Sequence, residues 1–340
     1  MKFPLLFDLT PHQPTTREIA LQIKERGAAE GLPDAAHLAD GATYQEVTCR
    51  SALNSCKGMP FNWTLNPYRG CTHGCHYCFA RRYHMQFELD SSDQFSSVIL
   101  VKKNFVDVLT RELDRPSWNR EYVAVGTATD VYQPIEGHYK ITRRSLEALT
   151  RSHTPFGVIT KGPMVVRDKD VLLDATRGAG CTVYISVPTV DEDAWRLLEP
   201  GTAHPLQRLR AVRELSQAGV RAGVLMNPIV PGITSQPAKL ENTIKAIADH
   251  GAAFMGTNLL YLKDGTRVHF MKFLEKHVPQ LAAKYVSFYR GAYAPEAYAK
   301  EVRGMVRALQ KKYRVSKRDE DKSPGKPVSP GDSTQGRFEY

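Results

Sequence analysis

Three closely spaced cysteines are the residues of this chain best suited to do chemistry. Cys71, Cys75 and Cys78 lie in a C-x3-C-x2-C arrangement. Thiolates are soft ligands that suit iron–sulfur clusters and zinc, and clustered thiols outside an oxidising compartment indicate a metal more than a disulfide. A loop this short can wrap one [4Fe–4S] cubane and supply three thiolates, but it supplies no fourth. One iron of such a cluster would be open to another ligand.

The same cysteines allow two other interpretations. Cys71, Cys75, Cys78 and His84 could form a tetrahedral zinc site, and the protein would then be a non-catalytic zinc-binding nucleic-acid module. The thiols could also be inert. The remaining cysteines show no ligand spacing to one another and are expected to be buried free thiols; they are Cys49, Cys56 and Cys181.

The elements that would position the cysteine loop form a repeating pattern from residue 61 onward. Short runs that are apolar on both faces alternate with helix-like stretches, which is typical of βα units in a covered parallel sheet. Six such units predict an α/β fold, a partial (β/α)6 TIM-like barrel. The predicted strands are 61–65, 122–126, 156–160, 182–187, 220–226 and 253–260, with an accessory strand at 98–102. Helices are expected at 104–114, 142–152, 169–176, 205–218 and 237–250, and again after residue 261.

The position of the cysteine loop fits this architecture. The loop directly follows the first predicted strand. In a βα barrel the chemistry lies at the C-terminal ends of the strands. The placement therefore favours a reaction centre over a peripheral structural metal.

Composition divides the chain into three parts. Residues 1–60 form an irregular N-terminal extension with one amphipathic helix at 15–26, and residues 61–313 form the barrel and C-terminal helices. Residues 314–340 are polar, rich in Pro and Gly, and predicted to be a disordered tail.

Charge and hydropathy limit the partners and the compartment. The formal net charge is +10, and a basic surface attracts phosphates, so nucleic acid is a candidate partner or substrate. No run approaches the ~20 apolar residues that span a bilayer, and residues 1–9 are too short a patch for a signal segment. We expect a cytoplasmic protein without a membrane partner.

The cysteine loop also carries a family resemblance. The string Asn-Pro-Tyr-Arg-Gly-Cys at 66–71, followed by the other two cysteines, resembles the radical S-adenosylmethionine (radical SAM) superfamily and, within it, the spore photoproduct lyase-like branch. The likeness covers roughly residues 44–313. It implies an enzyme whose [4Fe–4S] cluster binds S-adenosylmethionine and cleaves it reductively. The resulting 5′-deoxyadenosyl radical would abstract hydrogen from a substrate, and a flavodoxin- or ferredoxin-type protein would donate the electron.

The resemblance assigns roles to residues at the other strand ends. Thr129 and Asp130 would accept hydrogen bonds from the methionine ammonium, although an Asx-type turn capping the loop is an alternative. Lys161 would pair with the methionine carboxylate, or it could be a solvated lysine. Ser186 would contact S-adenosylmethionine, or its hydroxyl could bond the backbone.

Apolar residues are assigned to the adenine end. Ile229, in the turn 227–234, would pack on adenine, and Gly232 would permit close approach; a plain turn is the alternative. Tyr77 would shield the cluster and stack near adenine, or simply fill the core. Glu199 and Arg208 would pair either near the ribose or as a staple of their loop, and we favour the staple.

One departure from the branch pattern limits the activity. Spore photoproduct lyase is expected to carry a cysteine just before its Ser-Asp or Thr-Asp pair, as the hydrogen donor to the repaired product. Here the pair is Thr129-Asp130 and the residue before it is Ala128. The chain is therefore predicted not to repair thymine dimers.

Overall fold

A computed structural model describes residues 41–81 and 94–317. The predicted helix at 15–26, the candidate ligand His84 and most of the predicted tail lie outside these residues. No helix in the described ranges is long and apolar enough to cross a membrane.

Two sheets organise the described residues. The strands, numbered in chain order, are β1 Thr43–Val47, β2 Leu53–Ser55, β3 Trp63–Leu65, β4 Tyr68–Arg69, β5 Val98–Lys102, β6 Val123–Val125, β7 Phe156–Thr160, β8 Cys181–Ser186, β9 Ala222–Ile229 and β10 Met255–Leu259. The larger sheet has the order β10-β9-β8-β7-β6-β3-β2. In this sheet the six neighbouring strands β3, β6, β7, β8, β9 and β10 are parallel, and β2 is antiparallel to β3. The six parallel strands are the six predicted ones, which confirms the α/β partial barrel.

A smaller sheet, in the order β1-β5-β4, leads into the cysteine loop. Strand β5 is the predicted accessory strand, parallel to β1 and antiparallel to β4. The expectation that residues up to 60 are irregular was wrong for the described part, since β1 and β2 are strands. Both are short and half exposed, so neither shows the apolar run from which a strand is predicted.

The five helices predicted between the strands are confirmed, with each end within one residue of its prediction, whereas the helices Gln94–Ser97, Glu136–Tyr139 and Glu192–Leu198 and a 3₁₀ helix were not predicted. The helices within the described ranges are α1 Gln94–Ser97, α2 Phe105–Leu113, α3 Glu136–Tyr139, α4 Ile141–Arg151, α5 Lys169–Arg177, α6 Glu192–Leu198, α7 Pro205–Gln217, α8 Pro237–Asp249, α9 Asp264–His277, α10 Pro279–Phe288 and α11 Glu296–Tyr313, with the 3₁₀ helix at Pro163–Asp168. In α2, Phe105, Val108 and Leu109 recur at helical spacing and are buried against the sheet core.

The last helices close a second apolar cluster over the cysteine loop. Cys75 and Tyr77 pack there with side chains of α9 and α10, among them Phe270, Phe273 and Tyr285. This packing joins the C-terminal helices to the loop that must hold the metal.

The folded part extends beyond the predicted start of the tail at 314. Val315 is buried, the Met255 amide donates to the Ser316 carbonyl at 2.9 Å, and Lys317 bridges Met255 at the start of β10. The buried Val315 side chain and backbone contacts attach this segment, and the polar composition of the region conceals them.

Candidate functional site

Gly70 starts the cysteine loop in a conformation that other residues rarely adopt. Its φ is +80°, and a Cβ at this position would lie 2.5 Å from the Val98 carbonyl oxygen. The Cys71 amide then donates to the Phe95 carbonyl at 3.0 Å. The glycine is therefore required for the chain to turn from β4 into the loop.

The loop is built from successive tight turns. The Gly74 amide donates to the Cys71 carbonyl and the Cys78 amide to the Cys75 carbonyl, both at 3.2 Å. The buried Arg81 guanidinium donates to the Gly74 carbonyl at 2.7 Å and to the Cys75 carbonyl at 3.1 Å. These contacts satisfy loop carbonyls that burial would otherwise leave without partners.

The thiols lie close enough to influence one another. Cys71 and Cys75 are buried and Cys78 is half-buried. Burial, then Asp130, then Cys75 and Cys78 raise the pKa of Cys71 well above its usual value. Burial raises the pKa of Cys75 to about 12, with Cys78 adding to the effect. Cys71 and Cys75 are therefore neutral thiols on their own, and a bound cation is what would convert them to thiolates.

This donor set fits a cubane better than a single ion. Within residues 41–81 and 94–317, no three His, Cys, Asp or Glu side chains surround a position for one metal ion. In a cubane each thiolate binds a different iron, so the three sulfur atoms need not converge on one point. The zinc alternative requires four ligands around one ion, and the fourth of these, His84, lies outside the described residues.

Asp130 is placed beside the loop, but its carboxylate is already engaged. It accepts from the Thr160 hydroxyl and the Lys161 amide, both at 2.6 Å, and from the Tyr132 amide at 2.9 Å. Its other neighbour is His73 Nδ1 at 3.3 Å. Burial alone would raise the pKa of Asp130, but His73 and the hydrogen bonds hold it well below its usual range. The Tyr132 contact is the Asx-type turn that the sequence offered as an alternative.

Thr129 is also engaged with the loop. Its hydroxyl donates to the Gly70 carbonyl at 2.6 Å and accepts from the Gln133 side-chain amide at 3.0 Å. The buried Gln133 also accepts from the Thr72 amide at 3.1 Å. Sequence reasoning missed Gln133, because a glutamine that bonds a distant loop has no local signal.

Lys161 lies where the sequence predicted a cation. Its Nζ is 4.0 Å from Glu199 Oε1 and 5.6 Å from the centre of the Tyr77 ring. Burial alone would lower the pKa of Lys161, but Cys75, Glu199 and Cys78 raise it. The ammonium is therefore charged, with only 18% of the side chain exposed, and it lies beside the cysteine loop.

Glu199 and Arg208 form a buried ion pair. Its contacts are those of a staple of the loop, the role that the sequence analysis favoured. The Arg208 guanidinium donates to Glu199 Oε2 at 2.6 Å, and also to the Ala203 and Ser186 carbonyls at 2.8 and 2.9 Å. Tyr77 donates its hydroxyl to the other oxygen of Glu199. The pair ties the loop before α7 to β8 and to the cysteine loop, and it fixes the Tyr77 ring.

Ser186 and Ile229 occupy the ends of β8 and β9. Ser186 is buried and its carbonyl accepts the bond from Arg208. Ile229 is buried in the main core cluster, and its carbonyl accepts from the Leu260 amide at 3.0 Å. Gly232 has a φ of +77°, and a Cβ there would approach Leu281 Cδ2 at 3.2 Å. The close approach that Gly232 permits in this structure is to α10.

A histidine pair covers another side of the loop. His76 Nδ1 is 3.0 Å from His269 Nε2 of α9, and the His76 ring stacks on Phe273 with 4.2 Å between centroids. Burial, followed by the charge of His269, lowers the pKa of His76 to about 3. The neutral His76 ring therefore packs as an aromatic wall of the loop. No local pattern could indicate this contact, since the two histidines are 193 residues apart.

The other cysteines lie apart from this site as free thiols. Cys49 and Cys181 are buried and Cys56 is half-buried. Cys181 begins β8, at the end of that strand opposite to Ser186.

Comparisons with known proteins identify the superfamily of this chain. The family model of the Radical SAM superfamily matches residues 65–272. An uncharacterised Mycobacterium tuberculosis protein is 37% identical over 281 residues, which cover 82% of this chain and 83% of the relative. A radical SAM Nα-GlyT isomerase of Pseudomonas phage M6 is 24% identical over 172 residues, 50% of this chain and 33% of the isomerase. Spore photoproduct lyase complexed with dinucleoside spore photoproduct has a similar fold, with a TM-score of 0.63, 15% identity, and coverage of 88% of this chain and 94% of the lyase.

Proposed function

Because the chain belongs to the radical SAM superfamily, we propose that Cys71, Cys75 and Cys78 bind its [4Fe–4S] cluster and that Lys161 helps to bind S-adenosylmethionine there. The cluster and S-adenosylmethionine are the cofactors of this family, and together they supply a 5′-deoxyadenosyl radical. The observation that carries the proposal is a loop of three mutually close thiols with the charged Lys161 beside it.

In this proposal Lys161 attracts the methionine carboxylate. Its ammonium is charged and little exposed, so a carboxylate would meet it with little competition from water. Glu199, 4.0 Å away, neutralises only part of that charge because it also pairs with Arg208.

Asp130 and Thr129 have a positioning role in the proposal. Asp130 holds the Lys161 amide, and Thr129 holds the Gly70 carbonyl at the start of the loop. A carboxylate with about four acceptor sites that already has four neighbours offers little to the methionine ammonium directly. Both residues would then act through the Lys161 strand end and the cysteine loop.

Tyr77, Ser186 and Ile229 complete the proposed cofactor site. The Tyr77 ring, held by Glu199, shields the loop from water. Ser186 and Ile229 are the last residues of the neighbouring strands β8 and β9, where they would contact polar and apolar parts of the cofactor. The electron donor is proposed to be a flavodoxin- or ferredoxin-type protein.

Nucleic acid is the proposed substrate class. The carrying observation is the distribution of charge, because residues 264–313, which include α9 to α11, contain ten Lys and Arg against four Asp and Glu. A net +6 of the chain's +10 thus lies on the C-terminal helices, of which α9 and α10 pack over the cysteine loop.

Repair of spore photoproduct is excluded from the proposal. Ala128 occupies the position expected of the donor cysteine, and its amide donates to Asn66 Oδ1 at 2.8 Å. We expect reduced protein to convert S-adenosylmethionine to 5′-deoxyadenosine without converting spore photoproduct DNA to thymines. Stoichiometric repair, measured by chromatography of the digested DNA, would contradict this and direct attention to Cys49 and Cys56.

The metal is tested by anaerobic purification followed by iron, sulfide and zinc analysis. We expect about four irons and four sulfides per chain, and loss of both in the variant in which Cys71, Cys75 and Cys78 are all changed to Ala. Cys181→Ala, which removes a buried thiol away from the loop, is the matched control and should keep the cluster. A colourless wild-type protein that holds one zinc would overturn the proposal in favour of the zinc-binding module.

A further inference from the structure

A cavity of about 760 Å³ lies between the turn after β9 and the helices α10 and α11. This volume is within the ~300–1,000 Å³ typical of small-molecule sites. Four aromatic rings line it, those of Tyr285, Phe288, Tyr293 and Tyr298. None of the roles proposed above uses this cavity.

The wall of the cavity next to β9 is firmly held. The Tyr285 hydroxyl donates to the Pro231 carbonyl at 2.6 Å, and Gly232 lies against Leu281. The Phe288 and Tyr298 rings meet edge to face, 5.0 Å between centroids. Aromatic surfaces fixed in this way can receive a flat ligand without first being ordered.

The cavity is cationic. Lys284 and Arg290 line it, both are exposed, and neither forms a salt bridge within the described part of the chain. Among residues 41–81 and 94–317, no acidic side chain lines the cavity. The acidic residue closest in sequence to a lining residue is Glu296, which follows Pro295, and it forms a salt bridge with Arg303. The two cations are therefore available to bind an anionic group.

We propose that this cavity binds one nucleotide of a single-stranded nucleic acid, with the base against the Tyr293 and Tyr298 rings and the phosphate beside Lys284 and Arg290. Other proteins bind single-stranded nucleic acid by combining aromatic rings, on which the bases stack, with cations that contact the phosphate backbone. An acidic peptide would use the cations alone, whereas a nucleotide uses both features.

The location gives this site a role in the reaction. Pro231 and Gly232 follow the C-terminal end of β9, and the cysteine loop follows the C-terminal side of β3 in the same parallel sheet. The cavity would anchor the strand beside the reaction centre. The inference rests on the proposal that the substrate is a nucleic acid.

The test is binding of a fluorescein-labelled 12-nucleotide oligothymidylate to the full-length, cluster-containing protein, followed by fluorescence anisotropy without S-adenosylmethionine. The double variant Lys284→Ala/Arg290→Ala should bind at least ~10-fold more weakly than wild type. Its matched control is Lys300→Ala/Arg307→Ala, which removes two exposed cations of α11 outside the cavity. The control should lose about 3-fold or less, because only the general attraction of the surface is reduced.

A second pair of variants tests the aromatic wall. Tyr293 is 46% exposed, so its truncation is compatible with folding. Tyr293→Ala should weaken binding roughly 5-fold or more through loss of base stacking, and Tyr293→Phe, which keeps the ring, should bind like wild type. Unchanged melting temperatures would show that the variants fold.

The outcomes separate the two proposals. If wild type does not bind the oligonucleotide, the nucleic-acid substrate class fails and this inference fails with it. If wild type binds but both charge variants, or both Tyr293 variants, behave alike, only the cavity assignment is overturned. A labelled oligoglutamate peptide that binds as tightly as the oligonucleotide and responds to the same variants would show that the ligand class is wrong.

Discussion

Lys161 lies between two kinds of negative or potentially negative neighbours, the carboxylate of Glu199 and the thiols of Cys75 and Cys78. A lysine that merely ended a strand in solvent would not be buried among them. Its environment therefore distinguishes the two interpretations that the sequence left open, and it favours an ammonium held for a bound anion.

Lys161→Ala should leave iron and sulfide content unchanged but weaken binding of S-adenosylmethionine about 10-fold or more, since a hydrogen bond to a charged group contributes roughly 1.5–3 kcal/mol. Isothermal titration of the anaerobic protein measures this. The control is Lys169→Ala, which removes an exposed lysine paired with Glu214 and should bind normally. Equal affinity in both variants would mean that another group holds the carboxylate.

Glu199→Gln should destabilise the fold, because it leaves the fully buried Arg208 guanidinium without its counter-charge. Breaking a buried pair in this way costs about 3–5 kcal/mol, which urea unfolding would detect as a lower midpoint. Glu192→Gln breaks an exposed pair with Arg196 and should barely shift the midpoint. If Glu199→Gln were as stable as this control, the staple would contribute little to stability.

Sequence reasoning could name the residues whose proposed role depends on their own type and on their position at a strand end. The cysteines and Lys161 belong to this group, because parallel strands bring their C-terminal ends to one edge of a sheet. It could not foresee that Asp130 would be saturated by Thr160 and the Lys161 amide. Those partners depend on side-chain directions in a neighbouring strand, about which spacing along the chain carries no information.

At the scale of elements, Gly70→Ala should prevent the loop from reaching its place after β4. The new Cβ would clash with the Val98 carbonyl, and the positive φ would be strained. We expect a large loss of bound iron, measured with the protein's melting temperature. Gly304→Ala, in α11 with open space around it, is the control; it should keep the cluster and gain roughly 0.5–1 kcal/mol of stability.

The same scale shows which elements a sequence can reveal. Strands β7 and β8 are continuous apolar runs buried on both faces, and they were predicted to within one or two residues. Strands β1 and β4 could not be found, because each is defined by pairing with β5. Thr43 pairs with Val98, 55 residues further along the chain, and neither strand has the apolar pattern that would have indicated it.

At the scale of the whole molecule, we predict that the folded part of the chain ends near Lys317, and two truncations test this. Deleting residues 318–340 should leave cluster content and melting temperature unchanged, because a polar, Pro-rich segment buries little apolar surface. Deleting residues 315–340 also removes the buried Val315 and the Met255–Ser316 hydrogen bond at the start of β10. Loss of one buried valine costs about 1.5 kcal/mol or more, so the melting temperature should fall by a few degrees.

Differential scanning calorimetry of both truncations beside the full chain makes the comparison. A fall already present on deletion of 318–340 would show that the segment beyond Lys317 contributes to stability, and equal melting temperatures in all three would show that the Val315 contact does not hold β10.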